Sequence, residues 1–118
     1  MEIDKELLKG FIDILILSII KGNDYIYGYN IMKLVNIAAK DNFELQTGTL
    51  YIALKRLEKQ NFITSKVIEG DNGIKRRHYL ITKAGKVQLN KLNGDFNKIT
   101  ELILKFREGA VNVEQSKY

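Results

Sequence analysis

The side chains best suited to chemistry in this 118-residue chain are basic, and they are concentrated in one segment. Residues 47–83 contain eight Lys or Arg and three Asp or Glu residues, so this third of the chain carries the whole net charge of +5. A concentrated positive charge favours a polyanionic partner such as a nucleic acid. The alternative is that these side chains only solvate the surface. The basic residues are Lys55, Arg56, Lys59, Lys66, Lys75, Arg76, Arg77 and Lys83.

The stretch LQTGTLYIALKRLEKQNF, residues 45–62, has the periodicity of one helix, predicted at about residues 47–60 and capped by Thr47 or Gln46. Its predicted buried stripe is Leu50, Ala53, Leu54 and Leu57. The predicted outward residues are Gly48, Ile52, Lys55 and Lys59, with Thr49 and Arg56 on one flank and Tyr51 on the other. A small residue at a helix start lets backbone N–H groups approach phosphates, and the major groove of DNA admits an α-helix. We therefore predict that this face contacts DNA.

A β-hairpin is predicted after this helix, at about residues 62–82. The segments FITSKVIEG and IKRRHYLIT are rich in β-branched and apolar residues, and the DNG sequence between them is a turn signal. Tyr79 and Ile81 alternate onto one face. Such a hairpin beside the helix is placed to contact phosphates or the minor groove, which favours nucleic acid over simple solvation. Its second strand carries three basic residues, Lys75, Arg76 and Arg77.

Three further helices are predicted, at Asp4–Lys21, Gly28–Ala39 and Lys83–Arg107. The order helix, helix, helix, hairpin, helix is the outline of a winged helix-turn-helix. The predicted fold class is mainly α with a small β-hairpin. Residues 1–82 form the winged helix-turn-helix domain, and residues 83–107 form a C-terminal dimerisation helix. Residues 108–118 have no periodicity and are predicted to be a flexible tail.

The last predicted helix carries apolar residues at the alternating spacings of three and four that are typical of a coiled-coil interface. This heptad stripe is too long to be absorbed by so small a winged domain, so a homodimer is predicted. The alternative is that the stripe packs only on its own subunit. The heptad stripe consists of Leu89, Leu92, Phe96, Ile99, Ile103 and Phe106.

Composition excludes several kinds of site. There is no cysteine and only one histidine, His78, which excludes a disulfide, a thiolate metal site and a Ser-His-Asp triad. No carboxylate pair, nucleophile–base pair or phosphate loop is present, so we predict that the protein is not an enzyme and needs no metal or other cofactor. The longest apolar stretch, residues 7–20, is too short to cross a bilayer, and the acidic opening MEIDKE is not a signal peptide. We expect a cytoplasmic protein without a membrane partner.

Three ordered motifs resemble the PadR family of transcriptional regulators. The segment GTLYIALKRLEKQNFI is similar to the family signature Gly-Thr-Leu-Tyr-x-x-Leu-x-Arg-Leu-Glu, YGYNIMKLV to the second helix, and RRHYLITKAG to the wing strand and its exit into the last helix. Ile52 stands where the family often has proline, and Asn61 where it usually has glycine. The resemblance covers residues 7–106. It implies a two-fold dimer in which the last helix packs against helix one of the partner.

The resemblance also implies a ligand slot, because short drug-sensing members of the family hold flat hydrophobic compounds at the dimer interface. A bulky aromatic from each last helix, usually tryptophan, lines that slot, and Phe96 aligns with it. The alternative is that Phe96 is plain core, since phenylalanine has less stacking area than tryptophan and no N–H donor. The implied neighbours of Phe96 are Ile14, Leu17, Ser18, Ile99 and Thr100.

These observations predict a homodimeric DNA-binding transcriptional regulator, a repressor released from a palindromic operator by a planar hydrophobic effector. The alternative is a winged-helix module for protein interaction or for non-specific nucleic-acid binding, without an effector. The predicted DNA-binding residues are Thr47, Gly48, Thr49, Tyr51, Lys55, Lys59, Lys75, Arg76 and Arg77.

Overall fold

The computed structural model describes residues 2–109 and 112–115. Helices dominate, and a small three-stranded antiparallel sheet completes the winged-helix architecture, which confirms the predicted fold class. The elements are α1 (Lys5–Lys9), α2 (Ile12–Lys21), β1 (Ile26–Tyr27), α3 (Gly28–Ala39), α4 (Thr47–Lys59), β2 (Ile63–Glu69), β3 (Lys75–Ile81), α5 (Lys83–Arg107) and a 3₁₀ turn at Val113–Gln115. That turn lies within the predicted flexible tail, whose residues 110–111 and 116–118 are outside the described residues.

The single first helix predicted from Asp4 to Lys21 is wrong, because the chain forms two helices there. Asp4 caps α1, with its Oδ1 accepting hydrogen bonds from the N–H groups of Glu6 and Leu7 at 3.0 and 3.1 Å. At the other end, the N–H groups of Gly10 and Phe11 bond to carbonyls three residues back. Bonds of this spacing tighten a last helical turn, and they end α1 before α2 begins.

The sheet has the strand order β1-β3-β2, with both pairings antiparallel. The strand β1 was missed at the sequence level because two residues are too few to show alternation. Tyr79 and Ile81 lie on one face of β3, as predicted, and the structure shows that this face is buried in the core. The same alternation of β3 places Lys75 and Arg77 on the face of Tyr79, whereas Arg76 lies on the opposite face.

Two close approaches connect the hairpin to its neighbouring helices. Asn61 ends α4 with a φ of 65°, a left-handed conformation that asparagine tolerates, so it replaces the family's glycine without losing the turn. Its carbonyl accepts a 2.7 Å hydrogen bond from Thr82 Oγ1, and Thr82 also caps α5 by accepting from the N–H of Gly85. A Cβ on Gly85 would overlap the carbonyl oxygen of Phe62. Glycine is therefore required where α5 leaves the sheet.

The core lies between α2, α3, α4 and the inner face of the sheet. The predicted stripe of α4 is buried throughout, at Leu50, Ala53, Leu54 and Leu57. From α5, only the first three turns reach this core, through Gly85, Leu89 and the partly buried Leu92. Since α5 has 25 residues and spans about 37 Å, its second half projects beyond the domain.

Candidate nucleic-acid interface

The outward face of α4 is open. No atom lies within 4 Å of a Cβ built on Gly48, and the side chain of Ile52 is 72% exposed. Lys55 and Lys59 are exposed, and neither forms an ion pair with any residue that the structure describes. Lys55 lies in the middle of α4 and Lys59 in its last turn, so two cations without a counter-ion follow the bare helix start along this face and form a surface that attracts an anion.

The start of α4 carries no side-chain cap. The N-cap residue is Gln46, and its side chain makes no capping hydrogen bond. The hydroxyl of Thr47 is instead 3.4 Å from the sulfur of Met32 on α3. The first N–H groups of an α-helix have no partner within the helix, and those of α4 have none among the described residues, so they are open to an external acceptor.

Arg56 differs from the lysines on the same helix because its guanidinium is in an ion pair. Its two terminal nitrogens donate to Asp13 Oδ2 and Oδ1 of α2 at 2.9 and 2.6 Å. The hydrogen bond to Asp13 raises the pKa of the Arg56 guanidinium. This pair links α4 to α2. Apart from the position of Arg56 on the flank of the helix, no sequence pattern indicates it.

The three adjacent basic residues of β3 occupy different environments. The Arg77 guanidinium donates to Ser65 Oγ at 2.9 Å, and that hydroxyl donates to Glu58 Oε2 at 2.6 Å. On the opposite face, the Arg76 guanidinium lies 4.8 Å from the centre of the Tyr27 ring. Lys75 is exposed and forms no ion pair within the described chain. The predicted basic block is therefore divided between the two faces of the wing.

The outer face of the sheet carries an aromatic and cationic cluster that the sequence analysis missed. The ammonium of Lys66 lies 4.3 Å from the centre of the Tyr25 ring, and the Tyr27 ring stacks with Tyr29 and contacts His78. Cations over aromatic faces are attracted by the ring quadrupole. The cluster places the Lys66 and Arg76 side chains over aromatic rings on the outer face of the β2–β3 hairpin.

The predicted effector-slot residues are only partly brought together. Phe96 is 42% exposed and packs edge-on against Phe11, with ring centroids 5.4 Å apart, while Thr100 donates to the Phe96 carbonyl. Ile14 and Ser18 follow Phe11 at helical spacing. Leu17 is 0% exposed within the subunit core, so its side chain cannot reach a slot between subunits. Phe11 was missed because it lies at the unpredicted junction of α1 and α2.

An apolar groove of about 540 Å³ lies between α2 and α3. Ser18 is the only predicted slot residue that lines it. The other lining residues are Ile3, Leu15, Ile19, Leu34, Val35, Ala38, Ala39, Asn42 and Phe43. Within residues 2–109 and 112–115, no cluster of side chains could hold a metal ion, and no helix is long and apolar enough to cross a membrane.

The comparisons with known proteins agree with this architecture. A model of the transcriptional regulator PadR-like family matches residues 16–91, which is more than half of the chain. The chain belongs to the PadR family. Members of this family are transcriptional regulators and not enzymes. An uncharacterised protein of Lysinibacillus sphaericus is 33% identical over 104 residues, covering 88% of this chain and 94% of the relative.

Solved structures extend the similarity to PadR proteins of other bacteria. A PadR family transcription regulator from Clostridium difficile is 35% identical, with a TM-score of 0.69 over 81% of this chain and 97% of that one. A transcriptional regulator from Clostridium thermocellum is 29% identical, with a TM-score of 0.77 over 86% and 98%. A PadR-like regulator from Bacillus cereus is 25% identical, with a TM-score of 0.75 over 86% and 96%. The family fold therefore covers nearly the whole described chain.

Proposed function

We propose that this PadR family regulator binds double-stranded DNA as a homodimer, with α4 as the recognition helix and the β2–β3 hairpin as the wing. The observation that supports this most directly is the open face of α4, which has room at Gly48 near its start and the unpaired Lys55 and Lys59 further along. A helix with this face fits the major groove. The proposed contacts from α4 are Thr47, Gly48, Thr49, Tyr51, Lys55 and Lys59.

The wing residues contribute unequally in this proposal. Lys75 is free to neutralise a phosphate, whereas Arg77 is already bonded to Ser65, which is bonded to Glu58. Arg76 is held over Tyr27 and reaches DNA only from the outer face of the sheet. Phosphate contacts of this kind fix the register of the protein on DNA without reading sequence.

A homodimer is supported by the projecting half of α5. Its large apolar side chains are exposed in the single subunit, and so extensive an apolar surface is typical of a protein–protein interface. We propose that they pack across a two-fold axis and cover the α2–α3 groove of the partner. Leu89 is buried in its own subunit, so we leave it out of the interface, and Leu92 is partly buried there as well. The proposed interface residues are the exposed Phe96, Ile99, Leu102, Ile103 and Phe106; Leu104 is exposed as well but lies on a different side of α5.

DNA binding is tested by footprinting the wild-type protein on the duplex upstream of its own gene. We expect protection of two inverted half-sites about one helical turn, 10–10.5 base pairs, apart, because two-fold symmetry of the dimer imposes two-fold symmetry on the site. A shuffled duplex of the same length and composition is the control. Equal binding to both duplexes would contradict sequence-specific regulation and favour a non-specific nucleic-acid module.

We further propose that the regulator is a repressor and that a planar hydrophobic effector enters between the two α5 helices beside Phe96. The ring has an edge-on neighbour, Phe11, and an exposed remainder on which a flat compound can stack. A ligand that binds one spacing of the recognition helices better than another shifts the dimer toward that spacing. Release from DNA needs only this difference in affinity.

The Phe96→Ala variant tests the slot. A planar dye such as an acridine is expected to bind the wild type and to lose at least tenfold in affinity on the variant, because the stacking partner is removed. Dye fluorescence anisotropy measures this directly, and the chain contains no tryptophan that would interfere. Footprinting of the variant on the same operator is the control for folding. If the dye binds both proteins equally, Phe96 does not line a ligand slot.

A further inference from the structure

Tyr51 lies where the two helices of the helix-turn-helix come together. Its ring belongs to α4, yet it lies across Gly28, the first residue of α3. A Cβ built on Gly28 would be 2.5 Å from Tyr51 Oη and 2.9 Å from the ring carbons Cε1 and Cζ. Real Cβ atoms essentially never approach other heavy atoms so closely. The Tyr51 ring therefore occupies the space that any other residue at position 28 would fill with its side chain.

The backbone does not explain why position 28 is glycine. Gly28 opens α3, and among the described glycines the left-handed φ values belong to Gly73 and Gly109. What glycine provides at this position is space for the Tyr51 ring.

Tyr79 of β3 is near enough to Tyr51 for the two side chains to interact electrostatically. Burial raises the pKa of the Tyr79 hydroxyl, the nearby Tyr51 and Glu58 raise it further, and Arg77 lowers it. Tyr51 therefore packs on α3 and lies near β3. It is still 44% exposed, and its hydroxyl makes no hydrogen bond to any residue that the structure describes. A held ring with a free hydroxyl is a preorganised donor.

We propose that Gly28 is a positioning residue for DNA binding: its lack of a side chain lets the Tyr51 ring lie over α3, where its hydroxyl donates to a phosphate oxygen at the edge of the recognition helix. This inference rests on the proposed function and adds a residue outside the predicted contact surface. Gly28 touches no DNA itself, and it acts only through Tyr51. The ligand is a backbone phosphate, which hydroxyl donors commonly bind in protein–DNA complexes.

A double-mutant cycle tests the inference by comparing the DNA affinities of three variants. They are Gly28→Ala, Tyr51→Phe and the double variant. Gly28→Ala is expected to displace the flexible end of the Tyr51 side chain, not backbone, and so to leave the fold intact. Each single variant should weaken binding to the upstream duplex by at least tenfold, because one charge-assisted hydrogen bond contributes about that factor or more and the proposed dimer has two copies. The double variant should bind no more weakly than Tyr51→Phe alone, because the hydroxyl is already gone. Additive losses would show that Gly28 acts on the fold and would overturn the inference.

Two controls separate this inference from the proposed function. Gly94→Ala makes the same change at a helical glycine with open space around its Cβ, and it should leave DNA affinity unchanged. In the DNA-free protein, a nuclear Overhauser effect between the Tyr51 ring and the Gly28 Hα protons should be present. If Lys55→Ala weakens binding and Gly28→Ala does not, the Gly28 inference fails and the proposed function stands. If the wild type binds no duplex, both fail.

Discussion

Replacing Ile103 with glutamate is expected to convert the dimer into monomers. Ile103 is 49% exposed in the single subunit, near the end of the projecting half of α5, so a monomer tolerates a carboxylate there. In the proposed dimer, the two-fold axis would bring two such carboxylates into one apolar interface. An unpaired buried charge costs several kcal/mol, and the two copies also repel one another. Sedimentation velocity at micromolar concentration measures the outcome.

The matched control for Ile103→Glu is Asn97→Glu, which introduces the same charge on the same helix. Asn97 is exposed and lies about 120° around the helix from Ile103, away from the heptad stripe. This variant should remain dimeric and should still bind DNA. The monomeric Ile103→Glu protein should lose most of its operator affinity, because each subunit then holds only a half-site. A wild-type protein that sediments as a monomer would contradict the dimer itself.

The elements with strong periodicity were predictable from the sequence. The stripe of α4 is buried at all four predicted positions, because no other arrangement of a 13-residue helix hides its leucines. The break between α1 and α2 was not predictable, since the apolar pattern continues through Gly10 and Phe11 while the hydrogen bonds change spacing. Local hydrogen bonding, and not hydrophobicity, ends the first helix.

The candidate site shows a second limit of sequence patterns. Arg76 and Arg77 are adjacent in the chain and were treated as one basic block, yet strand alternation places them on opposite faces of the sheet. The ion pair of Arg56 with Asp13 joins residues 43 positions apart, and the contact of Tyr51 with Gly28 joins two separate helices. Such contacts depend on how the helices cross, which no local spacing encodes.

The heptad stripe shows a third limit of sequence patterns. The spacing of its apolar residues does not indicate whether each one packs within its own subunit or against a second subunit. Leu89 and Phe96 share the same stripe, but Leu89 is only 2% exposed in its own subunit whereas Phe96 is half exposed. The first part of α5 thus completes the winged domain. Only the second part is available to a partner.

Replacing Lys55 with alanine is expected to weaken operator binding by at least tenfold, while Lys105→Ala leaves it unchanged. The two lysines are matched, because both are exposed, both lack an ion pair within the described chain, and each substitution removes one positive charge. They differ in position, since Lys55 lies on the open face of α4 and Lys105 in the last turn of α5. A single contact of this kind contributes about 1–3 kcal/mol, and the proposed dimer has two copies.

The salt dependence of binding distinguishes a direct contact from bulk charge. Each neutralised phosphate adds about −0.9 to the slope of log affinity against log salt, so the loss of both Lys55 side chains should reduce the slope of the dimer by about 1.8. Lys105→Ala should leave the slope at the wild-type value. Fluorescence anisotropy of a labelled operator duplex between 50 and 200 mM salt, roughly the range over which such slopes are resolved, measures both quantities. If both variants show the same loss of affinity and the same reduction in slope, binding depends only on the net charge of the protein. In that case α4 is not the recognition helix.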